Sequence, residues 1–151
     1  MLDIDLKKVL ADFGDALGIE LAFDAQGACV LTVGDETPVA IQANVEDSSL
    51  TLSSAVRDAM PENMSLDQAQ NLLALALDPY DRGAASPVVG YDAESGLVVL
   101  YEVLAPSVLR RTPLSEAFTD FMTTRKAVVA LLDEQVEAPM ALNDAITRLW
   151  V

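Results

Sequence analysis

The residues of this 151-residue chain that could do chemistry are two short pairs of carboxylates and one thiol. Asp78 and Asp81 lie three positions apart, and Asp92 and Glu94 lie two apart. Paired carboxylates can act as general acid and base or can bind a hard cation. The first pair lacks the alternating ligands of a calcium-binding loop, and the second lies in an Asp-Ala-Glu-Ser-Gly sequence that is typical of a hairpin turn. We therefore interpret both pairs as solvated turn residues.

The thiol belongs to Cys29, and we do not expect it to act as a nucleophile. The chain contains no histidine, so the commonest activating base is missing. Cys29 also occupies an inward position of a predicted strand, which favours a small buried apolar residue. A single cysteine permits neither an intrachain disulfide nor a cysteine zinc site, and phosphate-binding glycine motifs are absent. We predict no catalytic residue, no metal site and no cofactor.

The charge of the chain is one-sided, with 9 Lys and Arg against 24 Asp and Glu and a net charge of −15 at pH 7. Nucleic acids and anionic membranes both bind clustered basic residues, so we expect neither as a partner. No apolar run approaches the ~20 residues of a membrane-spanning helix, and the N-terminus lacks the apolar core of a secretory signal. Hydrophobic residues make up 52% of the chain. These features predict a cytoplasmic protein that covers part of its apolar surface with another protein.

The periodicity of apolar residues predicts a helix and then a meander in the first half of the chain. Three- and four-residue spacings indicate a helix over 3–18, ending at a glycine. Alternation then predicts short strands near 21–24, 29–33, 39–43 and 50–53. Because every connection is too short for a parallel crossover, these strands should be antiparallel.

A second helix is predicted over residues 66–77. Ser65 and Gln68 have the spacing of a capping box at its start. The helix is apolar on nearly all sides, so it should be covered on more than one face. We consider a subunit interface at least as plausible there as an internal core.

The late part of the chain predicts a hairpin and a long helix. Strands are expected at 88–91 and 97–104, and the second is an apolar run broken only by Glu102, which indicates a strand buried on both faces. A long amphipathic helix should start at Thr112-Pro113, with Thr112 as its N-cap and Pro113 at its first position. The order α-β-β-β-β-α-β-β-α predicts an α+β fold, with an antiparallel sheet of five to six strands flanked by three helices. Residues 1–138 would form one domain, and 139–151 a C-terminal tail that could form a short helix.

Four local signatures follow one another along residues 3–136: an N-terminal helix, two hairpins and a final helix. The residues that define them are Leu6, Leu10, Phe13, Leu17 and Gly18; Asp24, Gly27 and Cys29; Gly90, Asp92, Gly96 and Leu100; and Phe118, Phe121, Val128 and Leu132. In the order of these signatures, in its length and in its acidic composition, the chain resembles the class I type III secretion chaperones, the Tir-chaperone-like family of bacterial proteins.

The resemblance implies a homodimer that holds the N-terminal segment of a secreted effector in an extended state, with no cofactor or nucleotide. Effector binding would use apolar grooves formed by the first helix and the sheet, although each candidate residue is also a good core residue. The effector-binding candidates are Leu6, Leu10, Phe13, Leu31, Val39 and Ile41. Dimerisation would use the second helix and the late strands. The dimer-interface candidates are Leu66, Leu72, Leu73, Leu77, Val89, Tyr91, Val99 and Tyr101.

Three functions remain open from the sequence. The first is a non-catalytic secretion chaperone that keeps an effector soluble, non-globular and secretion-competent. The second is a dimeric adaptor or regulatory protein of the same fold that binds a folded partner. The third is an enzyme that uses carboxylates, for which no catalytic constellation is present.

Overall fold

The structure, a computed structural model, describes residues 4–34, 37–57, 65–71 and 88–132. A helix begins at residue 66 and is described to residue 71; it is called α2 here. The remaining elements, in chain order, are α1 (Leu6–Leu17), β1 (Ala28–Val33), β2 (Thr37–Asn44), β3 (Ser49–Arg57), β4 (Val88–Asp92), β5 (Leu97–Leu104), α3 (Pro106–Arg111) and α4 (Leu114–Leu132). The predicted tail, 139–151, lies outside the described residues.

The five strands form one antiparallel sheet in the order β1-β2-β3-β5-β4. The register aligns Cys29 with Ile41, Ile41 with Leu52, and Leu52 with Glu102, so these side chains lie on one face. We call this the inner face, because α1 and α4 pack on it. The prediction of an α+β fold with an antiparallel sheet is confirmed.

Helix α1 shows how local sequence sets an element. The Asp5 carboxylate caps its start by accepting a hydrogen bond from the Lys8 backbone N–H at 3.1 Å. Gly18 ends it in the left-handed conformation, with φ 74°. Leu10 and Phe13 are buried between the caps, whereas Leu17, which shares the predicted apolar stripe, is half exposed.

The strand predicted near 21–24 is absent. The Asp24 carboxylate accepts hydrogen bonds from the N–H groups of Gln26 and Ala28, and the Asp24 N–H donates to the Ala28 carbonyl at 2.7 Å. These bonds close a tight turn, but no strand ladder continues from it. Leu21 and Phe23 are half-buried against the core. Their alternation with the exposed Ala22 and Asp24 therefore reflects packing of an extended segment rather than strand pairing.

The prediction that β5 is buried on both faces was wrong for the single chain. Val98, Leu100, Glu102 and Leu104 are buried on the inner face. The alternate residues point to the opposite, outer face, where Tyr101 is 39% and Val103 46% exposed. The continuous apolar run thus combines a core-facing set of residues with an accessible one.

The core lies between the inner face and the two long helices. The rings of Phe13 in α1 and Phe118 in α4 pack with centroids 4.9 Å apart, which joins the helices over the sheet. Helix α4 begins at Leu114, one residue after the predicted first position at Pro113. The short helix α3, which starts at Pro106, is additional to the predicted elements.

The capping box at α2 is formed as predicted. The Gln68 N–H donates to the Ser65 hydroxyl at 3.0 Å, and the Ser65 N–H donates to the Gln68 side-chain oxygen at 2.9 Å. The Gln68 amide also donates to the Leu131 carbonyl at 3.2 Å, so the start of α2 contacts the end of α4.

Candidate protein-binding surface

The six effector-binding candidates converge on the inner face beside α1. Leu31 aligns with Val39 across β1 and β2, next to the Cys29–Ile41 pair. Val39 and Ile41 have no exposed surface, and the three α1 candidates, Leu6, Leu10 and Phe13, are at most 9% exposed. Leu31 is half-buried. Only Leu31 therefore reaches the surface, and the other five form core beneath it.

The accessible apolar surface lies at the margin of that core. Half-buried side chains surround the buried cluster near α1 and β1, and they pack against it from outside. These marginal residues are Ile4, Val9, Leu21, Phe23, Leu31 and Val33. Sequence reasoning missed most of them because their intermediate exposure depends on the neighbours that partly cover them, and no local pattern reports this.

Grooves open next to these marginal residues. One, of about 310 Å³, lies between α1 and the extended segment, where Leu10, Leu21 and Phe23 line it. Another, of about 770 Å³, lies at the start of α1 and is lined in part by Ile4 and Phe23. Both are grooves open to solvent rather than enclosed cavities, a shape that admits side chains of an extended polypeptide.

Strand β1 is an edge strand of the sheet. Within the part of the chain that is described, β2 pairs with one edge of β1 and no strand pairs with the other. An unpaired edge offers backbone N–H and C=O groups to an added strand. This edge adjoins the half-buried side chains of Leu31 and Val33.

The dimer-interface candidates of the late hairpin divide between the two faces of the sheet. Val89 aligns with Leu100 and Tyr91 with Val98, and both partners belong to the inner-face core. Val99 and Tyr101 alternate with those partners and therefore point to the outer face, together with Val103.

In α2, Leu66 is 73% exposed. Leu72, Leu73 and Leu77 lie outside the described residues. Sequence reasoning missed Val103, which is as exposed as Tyr101 and stands in the same outer row. The period-two alternation of β5 would have identified it.

Glu102 is an ionisable residue that sequence reasoning treated only as a break in an apolar run. Its side chain is 6% exposed on the inner face. Burial raises the pKa of Glu102 to about 7, and the negative charge of Asp120 on α4 adds to the effect. A neutral carboxyl is therefore preferred in the folded chain below about pH 7.

Arg125 of α4 joins the helix to β3. Its guanidinium donates to the Ser54 hydroxyl and to the Ala55 carbonyl, both at 2.8 Å. Burial lowers the pKa of Arg125. Both of these partners are neutral oxygens, and through them the guanidinium clamps α4 to β3.

The candidate chemical groups lie in structural settings. The Asp92 carboxylate accepts from the Glu94 N–H and the Ser95 hydroxyl, which fits the predicted hairpin turn. Cys29 is buried, and burial raises the pKa of its thiol. Asp78 and Asp81 lie outside the described residues. Among the residues that are described, no group of His, Cys, Asp or Glu could hold a metal ion, and no helix is long and apolar enough to cross a membrane.

Comparison with protein families gives one match, to the Tir chaperone protein (CesT) family, over residues 8–128. No curated protein matches the sequence.

Solved structures share the fold at low sequence identity. A chain of the HopA1–SchA chaperone–effector complex superposes with a TM-score of 0.66 and 22% identity, covering 82% of this chain and 92% of that one. The Yersinia pestis type III secretion chaperone SycH, solved in complex with a stable fragment of YscM2, superposes with a TM-score of 0.64 and 14% identity. The match covers 84% of this chain and 98% of that one. A chain of the ExoU–SpcU complex from the type III secretion system of Pseudomonas aeruginosa superposes with a TM-score of 0.61 and 15% identity. The match covers 85% of this chain and 98% of that one.

Proposed function

The chain belongs to the Tir chaperone protein (CesT) family, and from that premise we propose how it acts. It is a secretion chaperone that binds effectors. It works in the cytoplasm as a homodimer and without catalysis. It binds the N-terminal segment of a type III secreted effector and keeps that segment soluble, non-globular and secretion-competent.

The family match over residues 8–128 is the observation that carries the proposal. It spans every described element except the first two residues of α1 and the last four of α4. Two of the structures that share the fold are a chaperone–effector complex and a type III secretion chaperone bound to a protein fragment. The grooves along α1 are better suited to binding an unfolded segment than to serving as an active site.

The binding energy would come from apolar side chains of the effector that cover the margin of the core. Phe23, Leu31 and Val33 are already half-buried against the core, so they have less side-chain freedom to lose on binding than fully exposed residues. Each 100 Å² of apolar surface removed from water contributes roughly 2.5 kcal/mol before the cost of ordering the segment. Backbone pairing along the free edge of β1 would fix the register of the bound segment.

A matched pair of variants on β1 tests the binding surface. Leu31 and Val30 are neighbours whose side chains point to opposite faces of the same edge strand. We expect Leu31→Ser to reduce co-purification of an effector segment and Val30→Ser to leave it unchanged.

The measurement is co-expression with N-terminal segments of proteins encoded by neighbouring genes, followed by pull-down and limited proteolysis. The bound segment should stay soluble and protease-sensitive. Capture of a folded, protease-resistant domain instead would indicate an adaptor and refute the secretion role. Thermal unfolding of both variants controls for loss of the fold.

We propose the outer face of β5 as part of the homodimer surface. Val99, Tyr101 and Val103 form an apolar row there, whereas Val89 packs against the core and is a weaker candidate. The exposed Leu66 of α2 remains a candidate, as do Leu72, Leu73 and Leu77.

Sedimentation of the Val103→Glu variant tests the interface, because a buried charge at a subunit contact should dissociate the dimer. Val30→Glu is the matched control, since Val30 is 66% exposed on the same outer face at the far edge of the sheet. A dimer that survives Val103→Glu would place the interface elsewhere.

A further inference from the structure

We propose that the groove at the start of α1 receives an apolar side chain of the bound segment that is flanked in sequence by Lys or Arg. The inference rests on the proposed function and assigns it a recognition rule. We call this groove the α1 N-terminal groove; it is the one of about 770 Å³. Its walls are the start of α1, the turn at 24–27 and the turn between β2 and β3.

The floor of the groove is apolar and held in place. Ile4, Phe23 and Ala43 are half-buried and pack against the core cluster. Val45, on the rim, is 79% exposed, the largest exposed fraction among the large hydrophobic residues of the described chain. Such a valine gains from being covered, and an apolar side chain seated on the floor would contact it.

The wall at 24–27 is held by hydrogen bonds to β2 before any ligand arrives. The Gly27 carbonyl accepts from the Ala43 N–H at 2.7 Å, and the Gln42 side-chain amide donates to the Gln26 carbonyl at 3.0 Å. Gly27 has φ 78°, a conformation that favours glycine. A preformed wall lowers the entropic cost of seating a flexible segment.

The rim supplies the charge preference. Among the described residues that line the groove, the three carboxylates of Asp5, Asp24 and Glu46 and the ammonium of Lys7 leave an excess of two negative charges. The carboxylates of Asp5 and Asp24 are oriented by backbone N–H groups, and in both residues the bonded atom is Oδ1. The second oxygen of each can face an incoming cation.

Charge complementarity therefore selects the occupant. An apolar residue with uncharged neighbours would fill the floor but make no ion pair with the rim. An acidic residue next to it would be repelled by the carboxylates of the rim and by the net charge of −15. A Lys or Arg next to the apolar residue satisfies both. Because the rim is exposed, its contribution should weaken as salt is added.

The test uses the full-length chain, labelled with ¹⁵N, and three synthetic peptides that differ only at the motif. The first carries a central Leu-Phe pair flanked by lysines, the second replaces the lysines by glutamates, and the third replaces Leu-Phe by Ser-Ser. We expect the first peptide to shift the amide signals of Gly27, Ala43 and Val45. The two altered peptides should bind about tenfold more weakly, as expected for the loss of two exposed ion pairs or of one apolar anchor.

Variants of the rim complete the test. Glu46→Lys should weaken binding of the lysine peptide about tenfold and remove most of the salt dependence of that binding. Glu46→Gln should have a smaller effect on both. Equal binding of the lysine and glutamate peptides would overturn the inference, and so would signal shifts that map to Leu31 and Val33 instead.

The outcome also separates this inference from the proposed function. Suppose that Glu46→Lys abolishes the preference for the lysine peptide over the glutamate peptide, but an effector segment still co-purifies undiminished with this variant. The rule that effectors place an apolar residue flanked by Lys or Arg in this groove is then wrong, and the chaperone function stands. If no effector segment co-purifies with the unaltered chain, the proposed function itself fails, whatever the peptides do.

Discussion

Replacing Glu102 by glutamine should stabilise the folded chain, and the gain should grow as the pH rises. Glu102 is 6% exposed on the inner face of the sheet, where Leu52 is its cross-strand neighbour and Asp120 lies on the helix above. Burial, and then the charge of Asp120, raises its pKa from 4.5 to about 7. Glutamine has nearly the same shape as the protonated acid but cannot ionise.

The sign follows from the linkage between proton binding and folding. In the unfolded chain the carboxyl ionises near pH 4.5, whereas in the folded chain it holds its proton to about pH 7. Between these values the folded state binds more protons, so rising pH lowers the free energy of unfolding. Above pH 7 both states are ionised, and the penalty has reached its full value.

The magnitude is the separation of the two pKa values, about 2.5 pH units, multiplied by 1.36 kcal/mol per unit. The full penalty is therefore on the order of 3 kcal/mol, and water near the carboxylate would reduce it. For Glu102→Gln we expect a gain of about 1 kcal/mol at pH 5.5 and about 3 kcal/mol at pH 8.

The assay is urea unfolding followed by far-ultraviolet circular dichroism at both pH values. Protein concentration must be held constant, because dissociation of a dimer would add to the measured free energy. Glu20→Gln, at an exposed position, is the matched control and should change stability by less than about 0.5 kcal/mol at either pH. A gain that is the same at pH 5.5 and pH 8, or a loss at both, would refute the account of Glu102.

Two further predictions concern how the helices are held. Arg125→Met should lower the free energy of unfolding by about 2 kcal/mol in urea unfolding, because the bonds from the guanidinium to Ser54 and Ala55 are lost. Gly14→Ala should lower it by about 1–2 kcal/mol despite the better helix propensity of alanine, because the added Cβ would lie 2.7 Å from the Ile19 carbonyl oxygen. Thermal unfolding provides the second readout for both.

Each of these predictions has an exposed neighbour as a control. Lys126→Met, one residue beyond the clamp, and Asp15→Ala, one residue beyond the close contact, should each change stability by less than about 0.5 kcal/mol. An Arg125→Met variant as stable as the Lys126→Met variant would mean that the two hydrogen bonds contribute nothing net. A stabilised Gly14→Ala variant would mean that the chain at Ile19 shifts without cost.

Features set by neighbouring residues were predictable from the sequence. The caps of α1 at Asp5 and Gly18, the capping box at Ser65 and Gln68, and the alternation of the strands all depend on residues a few positions apart. The meander follows because short connections permit only antiparallel pairing.

Features set by tertiary packing were not predictable in the same way. The segment with Leu21 and Phe23 has the alternation of a strand, yet the Asp24 turn leaves it packed on the core without a ladder. The run from Leu97 to Leu104 has nearly unbroken hydrophobicity, but nothing in its composition tells which alternate residues a helix covers. Glu102 was overlooked for the same reason, since its burial depends on α4.

The candidate binding residues illustrate a general difficulty. Choosing the most regular apolar positions selected Leu10, Val39 and Ile41, which are the residues that a core needs most and exposes least. Residues that a partner can reach, such as Leu31 and Phe23, are those whose covering is incomplete. Incomplete covering is a property of the assembled fold, so sequence periodicity identifies the inner face of the sheet but not which of its residues stay accessible.

The positions of the two proposed surfaces make their functions compatible. The effector surface lies beside α1 and β1, on the inner face and at one edge of the sheet. The dimer surface includes Tyr101 and Val103 on the outer face of β5, with β2 and β3 between β5 and the free edge of β1. A subunit bound to the outer row would leave the edge of β1 and the grooves of α1 open. Each protomer of a dimer could then hold part of one extended segment, and the linked contacts would bind it more tightly than either alone.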